Sequence, residues 1–324
     1  MSHPRILIIR FSSIGDIVLT TPVIRCLKLQ LGAEVHFLTK KSFAGILEAN
    51  PYLSQIHTIE KNTTEILPTL RKIPFDYIID LHKNIRSLQV RLALSAPCFS
   101  FDKLNFKKWL LVNFKINRLP DIHIADRYLK AVQKPGVIND GKGLDYFIPS
   151  AVALPPAVGK LPDFIAFAIG AAHATKRLPN EKIIEICRKI NRPVVLLGGL
   201  GDAENGRLIA ESAGAHVLNM CGKISLHQSA LTVLRSAAVI THDTGMMHIA
   251  AALRKRIISV WGSTVPDFGM YPYLPGEEER STVIEVKNLS CRPCSKIGFG
   301  QCPQGHFKCM RKIDTQTIAE CLGI

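Results

Sequence analysis

Twice along this chain, short β-branched runs alternate with stretches of helical period, and that rhythm leaves few folds open. Arg5 to Arg10, Ala33 to Thr39 and Phe75 to Leu81 read as strands. Helices are expected over Ile17 to Leu31, Ser42 to Ala49, Thr64 to Lys72, Ile85 to Leu94 and His123 to Gln133. Lys134 to Pro162 is rich in Pro and Gly with little periodicity, which marks a linker. The pattern then restarts, with strands at Phe164 to Ile169, Pro193 to Leu197, His216 to Leu218, Ala237 to Ile240 and Arg256 to Trp261. Between them helices are read at Asn180 to Ile190, Asp202 to Ser212, Ser225 to Ser236 and Met246 to Leu253, and a last one at Asp314 to Cys321. Strand and helix in alternation build a parallel sheet covered on both faces. The expectation is therefore two doubly wound α/β domains, residues 1–150 and 151–324, facing each other across a cleft. A length of 324 residues agrees with two cores rather than one.

No apolar run approaches the roughly 18 to 20 residues that span a bilayer, and Met1 to Ser13 lacks a signal peptide's apolar stretch and cleavage site, so a cytoplasmic protein is expected. Nine cysteines without an export signal read as reduced thiols or metal ligands rather than a disulfide framework. The formal charge of +15 favours an anionic partner. About half of that excess lies in one segment, where Lys83, Arg86, Arg91, Lys103, Lys107, Lys108, Lys115 and Arg118 face only Asp102. Phe99, Phe101, Phe106, Trp109 and Phe114 are interleaved with them, a mixture that suits an anionic bilayer surface. The same ingredients serve a solvated helix with its aromatics turned inward, or a single-strand nucleic-acid site.

Three loops carry chemistry. Thr241-His-Asp-Thr-Gly-Met-Met-His248 lies where a strand hands over to a helix, at the carboxyl end of a parallel strand where open α/β sheets bind ligands. A helix N-terminus offers unpaired N–H groups and partial positive charge, and Gly245 has no side chain to keep a phosphate away. Asp243 would then hold sugar hydroxyls beside the anion; the plainer reading is an Asp/Thr N-cap before a buried His248. Arg10-Phe-Ser-Ser-Ile-Gly-Asp16 follows the first strand, so Asp16 is either a helix cap or a general base. Ile169-Gly-Ala-Ala-His-Ala-Thr-Lys-Arg-Leu-Pro179 brings Lys176 and Arg177 to a helix start, a diphosphate site in outline or an ordinary basic loop. Leu197-Gly-Gly-Leu-Gly-Asp202 does not space as a dinucleotide fingerprint; a sharp turn capped by Asp202 explains its glycines, with a ribose contact from Asp202 or Glu204 as the alternative. Neither G-x-S-x-G, Walker A nor D-x-D occurs, so cationic groups would have to meet a sugar nucleotide's charge. Cys291-x2-Cys294-x7-Cys302-x6-Cys309 begins with a zinc-type knuckle, but its second pair is wide for a zinc ribbon. Structural zinc, packed reduced thiols and a redox role all stay open.

Several of these loops resemble one family together. Arg10-Phe-Ser-Ser-Ile-Gly-Asp-Ile-Val-Leu-Thr-Thr-Pro22, Lys176-Arg-Leu-Pro179, Leu197-Gly-Gly199 and Asp243-Thr-Gly-Met-Met-His248 are similar, in order and spacing, to the ADP-heptose:lipopolysaccharide heptosyltransferases of glycosyltransferase family 9. Cys302-Pro-Gln-Gly-His-Phe-Lys-Cys309 looks like the tail of many members. The resemblance implies a GT-B fold and metal-independent transfer of heptose, with inversion, from ADP-heptose to the inner core of lipopolysaccharide. It implies Asp16 as general base, Lys176 at the donor's phosphate and sugar, and Asp243, Thr244, Gly245 and His248 as the donor loop. Ser12, Ser13, Gly15, Thr175 and Asp202 are further candidates for donor or acceptor contacts. The family often has hydroxyl residues or a Ser-Trp step before its lysine. Ala171, Ala172, His173 and Ala174 stand there instead, which leaves phosphate contacts to backbone N–H groups, His173 or Thr175. The partners implied are ADP-heptose, a phosphorylated core acceptor and the anionic inner-membrane surface, with the protein held peripherally there and no nucleic acid bound. Another nucleotide sugar or acceptor, or a noncatalytic nucleotide- or nucleic-acid-binding protein on the same shell, are the alternatives. The last helix is a candidate to pack back on the N-terminal domain.

Overall fold

The computed structural model describes residues 3–323. The chain divides into two compact units: one runs to Lys103 and resumes over Ile122–Pro149, the other takes Leu104–Asp121 and the chain from Ser150 onward. In the first unit five strands, β1 (Arg5–Ile9), β2 (Glu34–Lys40), β3 (Gln55–Ile59), β4 (Tyr77–Asp80) and β5 (Cys98–Ser100), form an all-parallel sheet in the order β3-β2-β1-β4-β5. β1 is its centre, and Ile6, Leu7, Ile8 and Ile9 are all buried because helices cover both faces.

Six strands build the second unit: β6 (Ile165–Ala168), β7 (Val194–Leu197), β8 (Val217–Asn219), β9 (Ala238–His242), β10 (Ile257–Trp261) and β11 (Ser281–Glu285). They too are all parallel, in the order β11-β10-β9-β6-β7-β8. Phe167, Ile240 and Ile258 from the sheet meet Ile183, Ile186 and Cys187 of the helix Asn180–Lys189 in one core. Two doubly wound parallel-sheet units are what the alternation predicts. Among the described residues no helix is long and apolar enough to cross a membrane.

Three expectations need correction. The excursion Leu104–Asp121 belongs to the second unit, not to the N-terminal domain: Leu111 of the helix Asn105–Phe114 is buried with Val265 and Phe268. The basic aromatic segment Lys83 to Arg118 is therefore divided between the units, and Phe101 within it is a core residue. The last helix, Thr315–Glu320, lies on the helix Asn180–Lys189 of its own unit, where Thr315 Oγ1 donates to the Glu185 carboxylate and Lys189 Nζ donates to Gln316 Oε1 at 3.0 Å. Strands β3, β5 and β11 go unread in the sequence; all three are sheet edges.

The linker is pinned from within the first unit. Buried Arg25 donates from Nε and Nη2 to the two oxygens of Asp140, both at 2.8 Å, from Nη1 to Asp145, and from Nη2 to the Gly143 carbonyl at 2.9 Å. Burial works against the Asp140 carboxylate, but the bonds from Arg25 outweigh it and hold its pKa below the usual aspartate value. A depressed carboxylate pKa contributes stability that is present above the unfolded value and lost as pH falls through the folded one. Replacing Arg25 with Gln should thus cost about 2 kcal/mol at neutral pH, with the gap to wild type narrowing below about pH 4. Urea unfolding at several pH values checks both statements; a gap that widens in acid contradicts the pairing.

Candidate functional site

In each sheet the strand order reverses beside its first strand, between β1 and β4 in one unit and between β6 and β9 in the other. Loops on either side of such a reversal diverge at the carboxyl ends of the strands and open a crevice. The residues singled out from sequence fall there: Ser12 to Asp16 after β1, Gly170 to Lys176 after β6, and Asp243 to Gly245 after β9.

At the β6/β9 reversal Lys176 Nζ stands 2.6 Å from Asp243 Oδ2 and 3.4 Å from the Asp243 carbonyl. The helix Gly245–Ala252 begins two residues later with Thr244 as its N-cap, so a cation and a row of N–H groups point at one place. An ammonium has three N–H donors, and Asp243 does not exhaust them. His248 is buried on that helix.

The Lys176 loop is held from below. Arg177 donates through Nε to the Ala171 carbonyl at 2.7 Å and pairs with Asp202 at 3.4 Å, while Gly199 N–H donates to Asp202 Oδ2 at 2.9 Å. Asp202 thus caps its own turn and braces the neighbouring loop, the plainer of its two sequence readings. A Cβ on Gly170 would stand 2.3 Å from Asp202 Oδ2, so glycine is what allows this approach. The Thr175 hydroxyl is occupied in the same way, lying 2.9 Å from Ser263 Oγ and accepting from Phe299 N–H at 2.8 Å.

In the first unit Asp16 lies in the first turn of the helix Ile14–Val18. Its Oδ2 accepts from Ser13 Oγ at 2.8 Å and Ser13 N–H at 3.2 Å, and its Oδ1 pairs with Arg10 Nη2 at 2.6 Å. Arg10 also donates through Nη1 to the Leu81 carbonyl at 2.5 Å and to Tyr128 Oη at 3.1 Å, and through Nε to the Ser12 carbonyl at 2.8 Å. One guanidinium therefore ties the loop after β1 to the loop after β4. Burial opposes its charge, and Asp16, Tyr128 and Asp80 more than offset that, raising its pKa. A further cation and a neutral imidazole lie near it. Lys103 is lowered by burial first and then by Arg10. Burial and the Arg10 charge also push His82 down to about 4. Asp16 is both the N3 member of the capping box begun by Ser13 and a partly exposed carboxylate in a cationic setting.

Residues 64–300 match the family model described as glycosyltransferase family 9 (heptosyltransferase). The chain belongs to glycosyltransferase family 9. It is 24% identical to lipopolysaccharide heptosyltransferase 1 of Campylobacter coli over 80% of this chain and 84% of that protein. A solved structure of E. coli ADP-heptose lps heptosyltransferase II is similar with a TM-score of 0.72 at 20% identity, covering 98% of this chain and 97% of that one. E. coli heptosyltransferase WaaC with ADP gives 0.70 at 19% identity over 98% and 99%. The fold is the GT-B fold of these enzymes, as the motifs implied, and the chain is a family 9 glycosyltransferase.

Sequence reasoning missed several residues of this glycosyltransferase that the strand order brings to Asp243. Buried Thr264, past the end of β10, donates from Oγ1 to Asp243 Oδ2 at 2.8 Å. Arg292 donates from Nη2 to the Thr264 carbonyl at 2.8 Å and to Glu285 Oε2 at 2.7 Å. The pairing of β10 with β9, and of β11 with β10, brings these residues together. The cysteine segment lies against this network, with Cys294 N–H donating to the Ser263 carbonyl at 3.0 Å. Cys294 Sγ lies 3.0 Å from the Cys291 carbonyl. Its thiol is pushed up to about 11 by burial and then by Cys291; Cys309 reaches about 11 by burial and then by Cys294. Among the described residues no group of three or more His, Cys, Asp or Glu side chains is placed to hold a metal ion.

His242, also missed, ends β9 fully buried, and its Nε2 accepts from Leu178 N–H at 3.0 Å, joining the two loops of the reversal. Burial and then the Arg177 charge push its pKa from 6.5 down to about 3. A lowered histidine pKa leaves stability intact above the unfolded value and erodes it as pH falls between the two, by up to about 1.4 kcal/mol per pH unit. The erosion from His242 should thus begin near pH 6.5 and run toward 3. In NMR spectra of the folded protein its ring signals should not move between about pH 8 and 5; a ring titrating in that range contradicts the assignment.

Proposed function

We propose that this enzyme transfers heptose from ADP-heptose to the inner core of lipopolysaccharide, with inversion and without a metal, at the cytoplasmic face of the inner membrane. The observation that carries the reading is Lys176 beside Asp243 at the start of the helix Gly245–Ala252. Relatives named as lipopolysaccharide heptosyltransferases and a similar structure holding ADP support it. The diphosphate of the donor lies against Lys176 and the N–H groups at Gly245. Positive charge fixed there stabilises the ADP leaving group as the glycosidic C–O bond breaks, the work a divalent ion does elsewhere. Asp243, with His248 behind it, meets hydroxyls of the donor.

Asp16 acts on the other substrate. Ser13 and Arg10 orient its carboxylate, which takes the proton of the acceptor hydroxyl while that oxygen forms its bond to the anomeric carbon. Attack opposite the departing diphosphate inverts the sugar centre. The cations Arg10 and Lys103 suit a phosphorylated acceptor. A second reading, another nucleotide sugar in the same pocket, is favoured by Ala171, Ala172 and Ala174, which put no hydroxyl where the family often has one.

Two variants test the assignments through ADP release from ADP-heptose with a deep-truncated lipopolysaccharide acceptor. Asp16→Asn should lower turnover about a hundred- to ten-thousand-fold while donor binding stays near normal; wild-type turnover by this variant rejects the base. Thr264→Val, which removes one hydrogen bond to a charged carboxylate, should cost about 1.5 kcal/mol, roughly tenfold in donor affinity, with the fold intact. No release from ADP-heptose, and release from a different nucleotide sugar, would keep the enzyme class and replace the substrate.

A further inference from the structure

The helix Asn105–Phe114 has two apolar faces, and only one has a partner. Inward, Leu111 is buried with Val265 and Phe268, and the Lys108 ammonium sits 5.8 Å from the centre of the Phe268 ring. Outward, Phe106 is 69% exposed, Trp109 47% and, at the end of the helix, Phe114 59%. Trp109 joins the other two rings: Phe106 stacks on it with centroids 6.0 Å apart, and Phe114 meets it edge-on at 5.2 Å. Ile116 extends the exposed apolar surface. A contiguous aromatic cluster left in water marks an interaction site, whereas apolar side chains scattered singly do not.

The charges around it choose the occupant. Lys107 and Arg118 are exposed on the same segment as the rings, and no acidic residue occurs from Asn105 to Pro120. A second copy of this chain on the same face would set these cations against their own kind. Aromatic rings rimmed by Lys and Arg match the boundary between headgroups and acyl chains of an anionic bilayer, where rings enter the apolar edge and cations remain with the phosphates.

We propose that the helix Asn105–Phe114 docks this enzyme on anionic lipid, with Phe106, Trp109 and Phe114 entering the interfacial layer. The element is anchored for this task. Lys115 Nζ donates to the Pro293 carbonyl at 2.8 Å, and Asn117 Nδ2 donates to Asp267 Oδ1 at 2.6 Å. Val265, Asp267 and Phe268, on which the helix rests, follow directly on Thr264, the residue that holds Asp243. Lipid contact is thereby fixed relative to the loop assigned to the sugar nucleotide. The inference rests on the transfer reading only for which membrane is meant; docking itself is read without turnover.

The chain has two tryptophans, and Trp261 is 1% exposed, so a change of emission on lipid reports Trp109. The full-length protein is mixed with phosphatidylcholine vesicles with and without phosphatidylglycerol. With phosphatidylglycerol present, binding by cosedimentation and a blue shift of emission are expected, with quenching by lipids brominated in the acyl chain; Trp109→Phe should keep the binding and lose the quenching. Phe106→Ser combined with Trp109→Ser should weaken vesicle binding by about tenfold or more, while ADP release with a soluble, delipidated core acceptor stays at the wild-type level. Undiminished vesicle binding by the double variant, or unmoved emission on bound vesicles, overturns the proposal. So does a self-association or a polynucleotide affinity that the same double variant abolishes while lipid binding persists. Loss of ADP release in wild type with vesicle binding retained would count against the transfer reading alone.

Discussion

A parallel crossover is right-handed, so a sheet whose strand order reverses must send the helices on either side of the reversal to opposite faces. Their loops then separate at the carboxyl ends of the strands, where no third loop covers them. Lys176 after β6 and Asp243 after β9 meet because those two strands are neighbours although far apart in sequence. The same constraint puts Asp16 after β1 beside the loop after β4, and Arg10, reaching the Leu81 carbonyl, joins the two. Each unit thus prepares one crevice from topology, and the short polar motifs supply the chemistry within it.

Charge is distributed in these loops by task. Arg177, Asp202, Arg292 and Glu285 are spent on carbonyls, turns and one another, and each contact fixes a piece of backbone. Such groups bear the desolvation cost of partial burial by satisfying one another. Lys176 differs in that its partner Asp243 is itself at the mouth of a helix N-terminus, so the pair offers both signs of charge to a ligand. Close approach of backbone makes this compact. A Cβ on Gly262 would lie 2.7 Å from the Thr175 carbonyl, the same carbonyl that accepts from Ser263 N–H at 3.3 Å. Asp243 and Lys176 are therefore both supported by one layer of residues, Thr175, Ser263 and Thr264.

The central strands were legible because burial on both faces demands an uninterrupted apolar run, as in Ile6-Leu-Ile-Ile9. β3, β5 and β11 were not. An edge strand pairs on one side only and is allowed to be short or polar, as Gln55-Ile-His-Thr-Ile59 and Cys98-Phe-Ser100 are. The helix Asn105–Phe114 was hidden for the opposite reason: apolar groups on two faces erase the single stripe that betrays an amphipathic helix. Asp16, Lys176 and Asp243 stood in contiguous motifs and could be found by inspection. Thr264, His242 and Arg292 could not, since their roles come from which strands pair, a long-range property absent from any local pattern. The division of the Lys83 to Arg118 segment between the units belongs to the same class of information.

The short loop from Ser263 to Phe268 gathers these consequences. At its start Ser263 meets Thr175 and Thr264 meets Asp243; at its end Asp267 and Phe268 carry the excursion from Leu104 to Asp121. Arg292 and Cys294 hold it from behind through the Thr264 and Ser263 carbonyls. Hydrogen bonds chained from one group to the next strengthen one another, so such a network resists gradual distortion. The outer face of the helix Asn105–Phe114 can accordingly vary in composition without disturbing Asp243, since only its inner face touches the loop. Substitutions at Val265 or Phe268 act differently, because a cavity there lies between the surface helix and the residues that position the carboxylate. That separation of an adaptable outer face from a fixed inner one lets a single helix serve an extended surface while the chemistry beneath it keeps its geometry.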